Sequence, residues 1–123
     1  MKRALALLLC AGPFACGGPR AGASCKTNGY ACEDNSNALE CRSGTWVVLP
    51  CYGDGGCTVA ASQVSCDMSG DNAGDLCATS AEGKGMCSAS GKATLECRSG
   101  VLAQTGTCSS CTVDSGGQLV CSP

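Results

Sequence analysis

Cysteine is the residue here whose abundance and spacing bear on chemistry. The chain has fourteen cysteines and no histidine. Thiols in such number serve one of three ends: a metal, a redox couple or a set of disulfides. Structural zinc sites use paired short spacings such as C-x2-C, often with histidine. Only one such pair occurs after residue 25, Cys108-Ser109-Ser110-Cys111. Thioredoxin-like redox pairs sit in a βαβ context, and no such pattern surrounds this pair. Disulfides are therefore expected for Cys25, Cys32, Cys41, Cys51, Cys57 and Cys66, and for Cys77, Cys87, Cys97, Cys108, Cys111 and Cys121. No metal and no cofactor are expected. Six cysteines allow 15 pairings in each set, and spacing does not choose among them.

Other catalytic chemistry finds little support. Without histidine there is no Ser-His or Cys-His arrangement. Paired carboxylates could serve glycoside hydrolysis. Glu40 and Glu96, however, occupy matching places in two copies of one hexamer, and Glu33-Asp34 are neighbours in an expected loop. The chain is not expected to be an enzyme. Its candidates for ligand contact are the aromatic residues Tyr30, Trp46 and Tyr52, all before residue 66. Flat rings can stack on the apolar faces of sugars. Along "TWVVL" side chains alternate, so Trp46 and Val48 share one face of a strand while Thr45, Val47 and Leu49 share the other. Trp46 is also the largest apolar side chain available to a sparse core. Arg42 and Arg98 read as turn residues paired with Glu40 and Glu96.

The elements that must position these residues come from a repeat. "LECRSG" stands at residues 39–44 and again at 95–100. "CTV" follows at 57–59 and at 111–113, and a valine precedes each sixth cysteine, Val64 and Val120. The unit is duplicated. The boundaries expected are a first repeat at 24–66, a linker at 67–75 and a second repeat at 76–123. The linker, "DMSGDNAGD", carries three aspartates without the calcium-loop spacing, and a solvated connection is expected. "ALEC" and "TWVVL" flank Arg42-Ser43-Gly44 as a hairpin, and "TVDSGGQLV" at 112–120 reads as another. The expected fold class is small, disulfide-rich, mostly β and irregular: two tandem hairpin-based modules. Each is too small and too poor in large apolar side chains to hold without covalent staples.

The first residues speak to compartment. Met1-Lys2-Arg3 precedes the apolar run "ALALLLCA", the pattern of a signal peptide. "PFAC" ending at Cys16 is similar to a lipobox, in which that cysteine is lipidated. Ala21-Gly22-Ala23 offers a rival cleavage site that would release a soluble secreted form beginning at Ser24. Residues 1–23 are thus expected to be a signal peptide and tether. Either route leaves twelve cysteines to pair, as an oxidising compartment requires. No later segment is apolar enough to span a bilayer. The whole chain has net charge −2; an acidic chain lacks the basic patch of a nucleic-acid binder.

Residues 24–57 resemble the small chitin-binding domain of some fungal chitinases, carbohydrate-binding module family nineteen. The shared features are Cys25 and Cys32 with six residues between them, Cys41, the G-x-W of Gly44 and Trp46, Cys51, and a Gly-rich step to Cys57. The resemblance implies a disulfide-bonded, non-catalytic, carbohydrate-binding module. The second repeat departs from it in its gaps and has no tryptophan. Cysteine-rich surface lipoproteins of bacteria are a second comparison. The function expected is non-catalytic binding at the cell surface, with a polysaccharide or glycan as partner and a lipid anchor to the membrane if Cys16 is acylated. The alternative is a structural or protein-interaction module, adhesin-like or inhibitor-like, whose partner is a cell-surface protein.

Overall fold

The computed structural model describes residues 18–26 and 28–123. Most of the expected signal segment, with Cys16, lies outside them. Each repeat is a three-stranded antiparallel meander followed by a two-stranded hairpin. The first repeat has β1 (Tyr30–Cys32), β2 (Asn37–Arg42) and β3 (Thr45–Pro50), then β4 (Cys57–Ala60) and β5 (Gln63–Cys66). The second has β6 (Gly85–Cys87), β7 (Ala93–Arg98) and β8 (Val101–Thr107), then β9 (Ser110–Val113) and β10 (Leu119–Ser122). The one helical turn among the described residues is a 3-10 turn at Thr79–Ala81.

Each letter of the repeated hexamer has a structural task. Leu39 and Leu95 are buried. Cys41 and Cys97 bond to the first cysteine of their sets, Cys25 and Cys77. Glu40 pairs with Arg42, and Glu96 with Arg98, each at 3.0 Å. The last two letters make the turn. Ser43 and Gly44 have φ of 50° and 78°, and Ser99 and Gly100 have 52° and 78°. Two consecutive left-handed residues are what a two-residue hairpin turn needs to match strand twist. The meander registers agree as well: Cys41 faces Trp46 where Cys97 faces Leu102, and Tyr30 faces Glu40 where Gly85 faces Glu96.

The disulfides share one plan. In each set the first cysteine bonds the third, the second the fifth and the fourth the sixth: Cys25–Cys41, Cys32–Cys57 and Cys51–Cys66, then Cys77–Cys97, Cys87–Cys111 and Cys108–Cys121. None runs between the sets, and no described cysteine is free. Cys108 and Cys111 bond to different partners, so the C-x2-C spacing spans two staples. In the first repeat Ala38, Leu49, Cys51 and Cys57 make the core; in the second Cys77, Leu95, Cys97 and Leu102 do. At least half of each core is therefore half-cystine, and covalent bonds of about 2–4 kcal/mol each stand in for missing aliphatic side chains.

The stretch between the repeats differs from the solvated connection expected of it. Asp71 is 0% exposed and accepts the Tyr52 N–H at 3.1 Å, while its carbonyl accepts the Ala89 N–H. Asp67 accepts the Gly55 and Ser69 N–H groups, and Asp75 that of Asn72. These aspartates close turns, which is the local work that their side chains do best. Gly70 lets the stretch approach the first repeat: a Cβ there would lie 2.5 Å from the Tyr52 carbonyl oxygen. Leu76 and Ala78 then pack on the first repeat's core. At the other end, Gly22 and Ala23 exchange backbone hydrogen bonds with Trp46, extending the meander beyond β3.

Candidate functional site

The two hexamers meet. Glu40 is only 4% exposed, and its carboxylate accepts Arg42 Nη2, the Thr79 N–H at 3.1 Å and the Thr79 hydroxyl. Arg42 Nη2 also donates to the Cys77 carbonyl at 2.6 Å. The Cys77 N–H in turn donates to the Gly100 carbonyl, and a Cβ on Gly100 would lie 2.9 Å from the Arg42 guanidinium. The Glu-Arg pair of the first hexamer thus clamps the opening of the second repeat and rests against the turn of the second hexamer. Burial pushes the Glu40 carboxyl up, but the Arg42 and Thr79 donors outweigh it and hold the group below its ordinary value. A buried charge so satisfied remains ionised. The matching pair, Glu96 with Arg98, stands open to solvent and joins nothing beyond itself.

The three aromatic residues do not share a surface. Tyr30 lies opposite Glu40 and therefore on one face of the meander; Trp46 lies opposite Cys41 and on the other. Trp46 is half-buried beside Val48 on that face, the alternation expected for "TWVVL". Tyr30 is 41% exposed, and its hydroxyl donates to Ser80 Oγ at 3.1 Å. Tyr52 follows β3, is 57% exposed, and is held through its backbone by Asp71. A single flat platform of three rings is absent; two phenol rings stand exposed in separate places.

Tyr30 borders a cleft at the joint. With Asn28, Glu40, Arg42 and Thr79 it lines a cavity of about 280 Å³. The walls are mixed: one aromatic ring, one amide, one hydroxyl, a guanidinium and a carboxylate. Arg42 Nε is buried with no hydrogen-bond partner among the described residues. Small-molecule sites run from about 300 Å³ upward, so this cleft suits one small polar ring rather than a long chain. Its polar groups offer both donors and acceptors. Glu40 is committed to Arg42 and Thr79 and ionised, with no second carboxylate among the lining residues to form an acid–base pair.

The expected lipidation residue, Cys16, lies outside the described residues. Among them no group of three or more Cys, Asp or Glu side chains is arranged to hold a metal. Sequence reasoning missed Thr79 and Asp71. Thr79 carries no signal of its own, since its role exists only because Glu40 comes to it from 39 residues away. Asp71 looked like its two acidic neighbours. Burial pushes its carboxyl up to about 6; the Tyr52 N–H counters this in part, while the charges of Asp75 and Asp67 add to it. One of its oxygens, Oδ2, is buried without a partner.

Comparisons with protein-family models, curated proteins and solved structures found no match. The six disulfides mark an oxidising, extracytoplasmic setting. Among the described residues no helix is long and apolar enough to cross a membrane.

Proposed function

We propose that the chain is an exported, non-catalytic binding protein of the cell surface whose first repeat contacts a glycan at the joint cleft. The observation that carries the reading is the Tyr30 ring standing beside Asn28, Arg42 and Thr79. A sugar presents an apolar ring face and a rim of hydroxyls, and this wall offers one aromatic surface and several polar groups for them. The spacing likeness of residues 24–57 to a chitin-binding domain supports the same ligand class. Tyr52 is a separate exposed contact, and Trp46 serves the other face of the meander. Anchoring is through acylated Cys16.

Retention on insoluble chitin, cellulose and peptidoglycan tests the reading. Wild-type protein is expected on at least one of them, and Tyr30→Ala is expected to lose retention about tenfold or more, in line with the weight of one well-placed aromatic contact. Trp46→Ala, on the opposite face, should retain binding if it folds. Indifference to all three polymers would move the assignment to the protein-interaction reading, which the exposed Val59 and Val113 of β4 and β9 favour. Metabolic labelling with a clickable fatty acid, lost in Cys16→Ser, tests the anchor; a product beginning at Ser24 would refute it.

A further inference from the structure

A second cavity lies in the other repeat and has a different chemistry. It measures about 360 Å³, within the range of small-molecule sites. Met68, Ala81, Met86, Leu102 and Val113 supply apolar walls, and Lys84 is the one charged residue at its border. The Lys84 ammonium enters neither ion pair of the described residues. The duplication explains why space opens here. Leu102 faces Cys97 where Trp46 faces Cys41, so the second copy carries a smaller side chain at the indole's position. Met86 faces Leu95 where Ala31 faces Leu39. A rigid ring is thereby replaced by unbranched, polarizable thioether, the material of adaptable apolar sites.

We propose that this cavity is a binding site for a medium-length aliphatic carboxylate, its chain among Met68, Met86 and Leu102 and its head group at Lys84. The commitment to an anion rests on charge complementarity: an apolar chamber whose only charged neighbour is an unpaired cation favours an acyl chain with a negative end. The carboxylate stays at the exposed border, where it keeps its water, and only the methylenes leave solvent. The site is independent of the glycan cleft, which lies on the first repeat.

The test is a titration of the oxidised full chain, labelled with 13C at the methionine methyls, with sodium decanoate below its micelle concentration. Saturable shifts are expected for the methyls of Met68 and Met86. Lys84→Glu is expected to weaken binding about tenfold, and n-decanol to bind about tenfold more weakly than decanoate. Leu102→Trp, which restores the first copy's residue, is expected to abolish the shifts with the disulfide map unchanged. If that variant does not fold, Ala81→Leu fills the same chamber and should do the same. Absence of saturable shifts would overturn the proposal. So would equal affinity for decanoate and decanol together with indifference to Lys84→Glu.

Discussion

Asp71 and Glu40 are both buried carboxylates, and their surroundings push them in opposite directions. Asp71 has a folded value raised to about 6. The native state then holds a proton that the unfolded chain releases between about pH 4 and 6, so stability falls as pH rises through that window. The loss is at most about 3 kcal/mol. Asp71→Asn keeps an oxygen for the Tyr52 N–H without the charge; denaturant melts at pH 7.5 should show it more stable than wild type, with a flatter profile down to pH 4. Glu40 is held below its ordinary value, as are Asp34, through the Ser36 N–H and Asn37, and Asp67, through Ser69 and Gly55. Their stabilisation is present above the unfolded values and is lost as pH falls below about 4. The stability maximum is therefore expected near pH 4–5. The two hexamers supply an internal control for Glu40. Glu40→Gln should cost about 2–4 kcal/mol, because it leaves a half-buried guanidinium short of its anion. Glu96→Gln, at the exposed pair, should cost about 0–1 kcal/mol.

Among the elements, the hairpin turns differ in how well their residues suit them. Ser43-Gly44 and Ser99-Gly100 place glycine at the second left-handed position. The β4–β5 turn places Ala61 and Ser62 at φ of 49° and 64° with no glycine at all. A left-handed non-glycine residue costs roughly 1–2 kcal/mol. Ala61→Asn with Ser62→Gly supplies the residues that such turns prefer, and should raise the thermal midpoint by several degrees in calorimetry. The longer β9–β10 turn solves the problem otherwise: Asp114 accepts the Gly116 and Gln118 N–H groups, and Gly117 takes the left-handed position. The hairpins around both turns were legible in the sequence, because a run of β-formers broken by Ser-Gly or Asp-Ser-Gly-Gly has few other local solutions. The face assignment of Tyr30 was not. β1 is three residues long, too short for alternation to show a phase, and only its pairing with β2 sets Tyr30 apart from Trp46.

At the scale of the whole molecule, parity and duplication made the disulfide content and the two-repeat plan readable. Identical connectivity in two sets with unequal gaps shows what the duplication preserved: the sulfur graph, while loops changed length. The joint was unreadable because both hexamers present the same Glu and Arg. What distinguishes them is the Cys77–Thr79 segment that one pair receives and the other does not. The face of the second meander that matches the joint face is correspondingly polar. Thr94 and Gly106 stand where the first repeat has Ala38 and Leu49, and the Thr94 and Thr105 hydroxyls bond to each other. A terminal repeat whose outer face meets water needs such residues. Reduction should unfold both repeats; far-UV circular dichroism with and without a strong thiol reductant checks this, and retained β signal in the reductant would show that apolar burial alone sufficed.

The interleaving of the three bridges within each set has a consequence for survival among proteases. Between Cys25 and Cys66 every peptide bond is spanned by at least one bridge, and the same holds from Cys77 to Cys121. A single nick there leaves both pieces tethered, so the clipped molecule keeps its mass, plus one water, until thiols are reduced. Only the ten bonds between Cys66 and Cys77 have no such insurance. Buried Asp71 at their centre is thus the guard of the one place where a lone cut would divide the molecule in two.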